Sequence, residues 1–142
     1  MTFESVVPNP DAPWTREPPA AAAAVEQLAA ALPGLPPDYL AFLRLSNGGE
    51  GDLGTAPGWF SLWPAEEVAE LNAAHKVPDF LPGFVAFGSD GGGEMLAFGA
   101  DGQTWGRVYA VPFIPMEAAS ATEIAPDFAS FVRLFGHEPP AV

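Results

Sequence analysis

A glycine-rich stretch has the residue types that hold phosphate groups in many nucleotide-binding proteins. Residues 88–94 read Gly-Ser-Asp-Gly-Gly-Gly-Glu. A phosphate-binding P-loop carries a lysine after its last glycine and continues into a helix. Here Glu94 follows instead, and a strand-like pattern comes next. Because a carboxylate at this position would repel phosphate, we interpret the stretch as a tight turn whose glycines adopt positive φ angles.

Carboxylate and imidazole groups are the other residues that could do chemistry, by holding a metal ion. Asp90, Glu94 and Asp101 do not have the spacing of an EF-hand loop, and Asp101 precedes a glycine in a pair typical of hairpin turns. The two histidines, His75 and His137, lack a second ligand at a convincing helical spacing. We therefore interpret both as structural residues near helix C-termini, and we predict no metal and no cofactor.

The sequence offers no recognisable catalytic nucleophile. It contains no cysteine, which excludes a disulfide scaffold, a thiolate metal site and a cysteine nucleophile. None of its serines lies in a G-x-S-x-G motif. Hydrolase chemistry therefore has no support in the sequence.

The charge of the chain is strongly negative. Its 18 acidic and 5 basic residues give a formal net charge of −13. This balance argues against nucleic-acid binding, which requires basic residues to neutralise phosphates, and against docking on anionic membranes. It favours a basic protein partner, or simply a high solubility.

Acidic and aromatic residues are the candidates for binding such a partner. Two carboxylates lie in a glycine-rich segment close to two tryptophans, which period-two alternation places on one face of a strand. An exposed aromatic residue beside carboxylates would be a hot spot for a basic partner, whereas a buried one would belong to the core. Similarly, the glutamates of residues 66–70 fit either an acidic binding face or the solvated first turns of a helix. The candidate partner-binding residues are Glu50, Asp52, Trp59, Trp63, Glu66, Glu67, Glu70, Asp90 and Glu94.

The length of 142 residues fits one domain, since domains cluster at roughly 100–150 residues. We expect a proline-rich N-terminal arm over residues 1–19 anchored by Trp14, a single domain over residues 20–137 and a short tail over 138–142. No secretory signal is visible, and the longest weakly polar run, residues 20–32, is shorter than the roughly 20 residues of a membrane span. We expect a cytoplasmic location.

Hydrophobic periodicity and proline positions predict the elements that position these residues. Helices are expected over 19–32, from Pro36 to the Asn47-Gly48-Gly49 stop, over 64–75, and from Pro126 to Gly136. Strands are expected over 59–63, 84–87, 95–98 and 105–111, with a loop over 48–58 and a hairpin turn at Asp101-Gly102. Because strands and helices do not alternate, the sequence predicts an α+β fold with a central antiparallel sheet and helices packed mainly on one face.

Three stretches, in this order, resemble one known family. The first is Leu-Pro-Pro-Asp-Tyr-Leu-Ala-Phe-Leu at 35–43 with Asn47-Gly48-Gly49 after it. The second is Phe-Val-Ala-Phe-Gly-Ser-Asp-Gly-Gly-Gly-Glu at 84–94, and the third is Asp-Phe-Ala-Ser-Phe-Val at 127–132. Together they are similar to the SUKH superfamily, which contains fungal cell-wall synthesis regulators and many bacterial immunity proteins, over roughly residues 21–136.

The resemblance implies an α+β domain without enzymatic activity and without agreed catalytic residues. Bacterial members of the family are taken as antidotes that bind and block toxins, often nucleases, and fungal members act as signalling scaffolds. We therefore expect a protein-binding module of the immunity class, directed at a basic toxin domain. The alternative is a scaffold or adaptor without a toxin partner.

Overall fold

One seven-stranded antiparallel sheet forms the centre of the protein. The computed structural model describes residues 14–137 of the chain. The order of the strands in the sheet follows the chain: β1 (Trp14–Thr15), β2 (Gly49–Asp52), β3 (Trp59–Leu62), β4 (Phe84–Ser89), β5 (Glu94–Gly99), β6 (Val108–Pro112) and β7 (Thr122–Ala125). The α-helices within residues 14–137 are α1 (Ala22–Ala31), α2 (Pro37–Leu43), α3 (Ala65–Ala74), α4 (Val77–Phe80) and α5 (Phe128–Val132). The predicted α+β class is confirmed.

The two faces of the sheet pack against hydrophobic clusters of very different size. Alternation along β5 sends Leu96 and Phe98 into the larger cluster and Met95 into the smaller one. Buried residues of α1, α2, α3 and α5 belong to the larger cluster, whereas the buried Val77 of α4 belongs to the smaller one. The prediction that the helices pack mainly on one face is therefore confirmed.

Aromatic rings fill the larger cluster. Phe60 stacks on Phe135 with ring centroids 3.8 Å apart, and Phe87 stacks on Phe98 at 4.1 Å. Tyr39 lies among these rings fully buried, and its hydroxyl has no hydrogen-bond partner among the described residues. This burial raises the pKa of the Tyr39 hydroxyl well above its ordinary value, because a phenolate would have no solvation there.

The glycine-rich segment over 48–58 is not simply a loop, as we predicted, because it contains β2. Trp14 of β1 pairs with Gly51, and its ring lies 5.2 Å from that of Phe135. A Cβ atom at Gly49 or Gly51 would lie only 2.7 Å from a Trp14 side-chain atom. These glycines therefore give the indole room to pack against the strand, a role that overrides their low strand propensity.

We expect the Gly51→Ala variant to be destabilised by about 1–3 kcal/mol, the usual effect of forcing an extra methyl into a packed core. The added carbon would displace Trp14 and loosen the β1–β2 pairing. Urea unfolding followed by tryptophan fluorescence measures the loss. Gly93→Ala, where the added Cβ meets nothing within 4 Å, is the control, and an equal loss in both variants would contradict the steric explanation.

Several other boundaries differ from the sequence prediction. α2 ends at Leu43, before the Asn47-Gly48-Gly49 stop. Trp105 lies outside the sheet strands, and Asp101-Gly102 leads into a 3-10 turn (Gly102–Thr104) rather than a two-residue hairpin. β7 and α4 were not predicted, because four residues are too few to show periodicity.

The last helix begins at Phe128, two residues after the proline at which we predicted its start. Asp127 is the N-cap of α5, and its Oδ1 accepts a hydrogen bond from the Ser130 amide at 2.7 Å. This bond lowers the pKa of the Asp127 carboxyl below its ordinary value, because it stabilises the charged form.

We expect Asp127→Ala to lower the free energy of unfolding by about 1 kcal/mol at neutral pH, the usual value of an N-cap. Because the carboxyl pKa is lower in the folded state, its contribution is present above the unfolded pKa and is lost as the pH falls through the folded one. Unfolding curves between neutral pH and pH ~2 test this. Asp127→Asn should keep most of the cap without the pH dependence, and a difference between wild type and Asp127→Ala that stays constant to the lowest pH would refute the linkage.

Candidate functional site

The sheet presents an open acidic surface on the side of β2 and β3 that faces away from the larger cluster. Glu50 lies opposite Ser61 in the β2–β3 register, and Asp52 lies opposite Trp59. Directly opposed residues of antiparallel strands share a face, so these four side chains point the same way. Glu50 is exposed, and Trp59 keeps 39% of its surface in contact with solvent. We call this set, together with Asp90, the acidic face.

The turn between β4 and β5 forms one border of the acidic face. Asp90 Oδ1 accepts hydrogen bonds from the amides of Gly92 (2.8 Å) and Glu94 (3.1 Å), and Gly91 has a φ angle of +77°. The stretch therefore contains a turn, as we predicted, although Gly91 alone among its four glycines has a positive φ angle. A Cβ atom at Gly91 would lie 3.9 Å from Trp59 Cδ1, which places the turn beside the indole.

The N-terminus of α3 is held by a side chain from far along the chain. Asn47 Oδ1 accepts the Ala65 amide at 2.7 Å, and Asn47 Nδ2 donates to Glu66 Oε1 at 2.9 Å. This bond from Asn47 is the main cause that lowers the pKa of Glu66. Glu67 and Glu70 continue along the exposed side of α3. Asn47 thus caps the N-terminus of α3, whereas we predicted it as the end of α2.

A shallow groove of about 480 Å³ joins the acidic face to the start of α3. Its lining includes Glu17, Asn47, Glu50, Ser61 and Pro64. The structure therefore brings the predicted Glu50 close to the capped end of α3, which carries Glu66. Glu17 and Ser61 are additional lining residues that the sequence did not indicate, because they come from separate segments.

The two tryptophans that the sequence predicted on one face of a strand differ in their exposure to solvent. Trp63 is half-buried, packs against both hydrophobic clusters and lies parallel to the imidazole of His75 with centroids 6.3 Å apart. Trp59 remains exposed. Glu94 is half-buried in β5 beside the turn. Trp59 is therefore the aromatic centre of the acidic face, and Trp63 is largely a core residue.

Two features are absent from residues 14–137. No group of three or more His, Cys, Asp or Glu side chains lies close enough to bind a metal ion. Nor does this part of the chain contain a helix with the length and apolar character needed to cross a membrane.

Comparison with known proteins identifies one family. The family model described as SMI1 / KNR4 family (SUKH-1) matches residues 19–134 of the 142-residue chain. The match contains all three stretches on which the resemblance depends, so that resemblance is confirmed. No curated protein matches the chain.

Proposed function

Because this chain belongs to the SMI1 / KNR4 family (SUKH-1), we propose that it is a non-catalytic immunity protein that binds and blocks a basic, nuclease-type toxin. Membership of the family is consistent with an immunity or a regulatory module. The observation that supports a basic protein partner is the acidic face, in which the exposed Trp59 lies opposite Asp52 on a rigid sheet.

Electrostatics favour this partner over other classes. The net charge of −13 attracts a basic domain over distances of roughly one Debye length, about 8 Å at physiological salt, and accelerates association. Charges of this kind affect the association rate and the salt dependence more than the final affinity. The exposed indole of Trp59 is suited to supply short-range binding energy at the centre of the contact.

The hydrogen bonds of the site support a binding role rather than catalysis. The Asp90 carboxylate accepts two turn amides, and the Glu66 carboxylate accepts the Asn47 amide. The bond from Asn47 lowers the pKa of the Glu66 carboxyl, and a carboxylate held in the charged form suits electrostatic recognition better than proton donation.

The experiment is affinity capture from a lysate of the source organism, with the full chain as bait and elution by a salt gradient. We expect a basic protein to elute at high salt, to be toxic when expressed alone, and to be inhibited by equimolar bait. Glu50→Gln/Asp52→Asn should release it at lower salt than wild type. Glu26→Gln/Asp38→Asn, which removes the same charge from α1 and α2, is the matched control.

Two outcomes would contradict the proposal. Capture of a non-toxic cellular protein whose activity the bait does not block would favour the scaffold or adaptor alternative. If both double variants shift the elution position equally, the net charge of the chain determines binding and the acidic face makes no specific contribution.

A further inference from the structure

An apolar groove of about 510 Å³ lies outside the acidic face. It exposes two large apolar side chains, Phe80 with 59% and Ile114 with 92% of their surfaces open to solvent. Large apolar residues grouped on a surface mark interaction sites more often than scattered ones do. The residues that line this groove are Ala74, His75, Lys76, Phe80, Phe113, Ile114, Pro115 and Met116.

Two backbone segments with defined hydrogen bonds position these side chains at the surface. On one side Lys76 adopts a left-handed conformation, with φ at 58°, and its carbonyl accepts the amides of Asp79 and Phe80, each at 3.1 Å. Lys76 is the only non-glycine residue with positive φ within residues 14–137. Such a conformation is unfavourable for a non-glycine residue, and here it ends α3 and starts α4 so that Phe80 projects outward. On the other side, the Phe113 amide donates to the Gly93 carbonyl at 2.9 Å.

The groove is continuous with the acidic face. The turn at residues 91–93 approaches Trp59 on one side and bonds Phe113 on the other. Trp63, which directly follows β3, stacks on His75 of the groove. The ring of His75 in turn lies 5.0 Å from that of Phe113. The acidic face and the groove therefore border the same turn and form one surface.

We propose that this groove receives a bulky apolar side chain of the basic protein partner, carried on a segment whose flanking cationic residues pair with the acidic face. This inference rests on the proposed function and adds the part of the interface from which water is excluded. Protein interfaces typically combine an apolar core with a polar rim. The exposed Asp79 and Glu117 are the chain neighbours of Phe80 and Met116 and add negative charge near the groove, whereas Lys76 lines the groove itself. A second copy of the chain is disfavoured as occupant, since it would also carry −13.

The test uses the full chain and two defined probes: a hexapeptide of four arginines around two leucines, and its analogue with serines in place of the leucines. Binding is followed through the indole N–H signals of the four tryptophans by NMR. At equal salt we expect the leucine peptide to bind about tenfold or more tightly than the serine peptide, as burial of a leucine side chain implies. The Trp59 and Trp63 signals should move, and those of Trp14 and Trp105 should not.

Variants separate the groove from the acidic face. Ile114→Ser and Phe80→Ser change exposed residues and should remove the preference for leucine while leaving the serine peptide unaffected. Ala30→Ser on α1 is the control. Equal binding of both peptides, unchanged by the groove variants, would overturn the groove proposal and leave electrostatic recognition standing. Failure of both peptides to bind would count against both, and self-association abolished by Ile114→Ser would assign the groove to a second copy instead.

Discussion

Replacement of Trp59 by alanine is expected to weaken binding of the basic partner about 30-fold or more, the effect typical of an interface hot spot of at least about 2 kcal/mol. The indole lies between Asp52 and the turn at Gly91. A partner that covers the indole can therefore exclude water from both sides of the ring. Because Trp59 belongs to neither hydrophobic cluster, its removal should leave the core intact. Isothermal titration of the captured partner with wild type and variant measures the change.

The salt dependence of binding distinguishes the contribution of the indole from that of the charges. Trp59→Ala should leave the slope of affinity against salt unchanged, whereas Glu50→Gln/Asp52→Asn should flatten it. Trp105→Ala is the matched control: this residue is 48% exposed, and its indole donates to the Gly34 carbonyl at 2.7 Å. An affinity of Trp59→Ala within twofold of wild type would remove Trp59 from the interface.

The second large effect is expected from Asn72→Ala, which should lower the free energy of unfolding by about 3 kcal/mol or more. β3 pairs with β4 only as far as Leu62 and Gly88, so no β3 residue lies opposite Ala86 on that side of β4. The buried Asn72 side chain takes the place of such a partner, since its Oδ1 accepts the Ala86 amide at 2.9 Å and its Nδ2 donates to the Ala86 carbonyl at 2.8 Å. Alanine would leave both buried groups unsatisfied, at about 1–3 kcal/mol each.

Chemical denaturation measures this loss, and Asn47→Ala is the comparison. Asn47 also holds a helix by two side-chain bonds, but it is only partly buried, so water can replace it and the expected loss is about 1 kcal/mol. Equal losses in the two variants, or a loss below about 1 kcal/mol for Asn72→Ala, would contradict the assignment of Asn72 as a substitute strand.

Much of the fold was predictable because the relevant signals are local. Proline and glycine positions and hydrophobic spacing predicted α1, α3 and the β4–β5 pair. β2 escaped detection because its glycines serve the distant Trp14, which no local pattern reveals. Asn72 lies within the predicted helix over 64–75, but nothing in the sequence around it indicates that its side chain bonds to a strand.

The candidate site was predictable only in part, for a similar reason. Once β2 is recognised as a strand, the spacing of Glu50 and Asp52 places both residues on one face of it. Alternation predicted one face for Trp59 and Trp63, but exposure depends on what covers each residue, and His75 and both clusters pack against Trp63. The apolar groove joins residues 74–80 to residues 113–116, a juxtaposition that only the tertiary structure creates.

The order of the sheet has a consequence for how the chain assembles. Each strand pairs with the one before it, so no strand of the sheet needs a later strand in order to meet its preceding neighbour. The aromatic core, however, closes only with the C-terminal segment: Phe128 packs on Tyr39 and Phe42, Phe135 bridges to Leu53, and the Gly136 amide bonds the Asp52 carbonyl. The sheet can therefore form in chain order, whereas the aromatic cluster is complete only when α5 and the residues after it have joined β2, the strand that carries the acidic face.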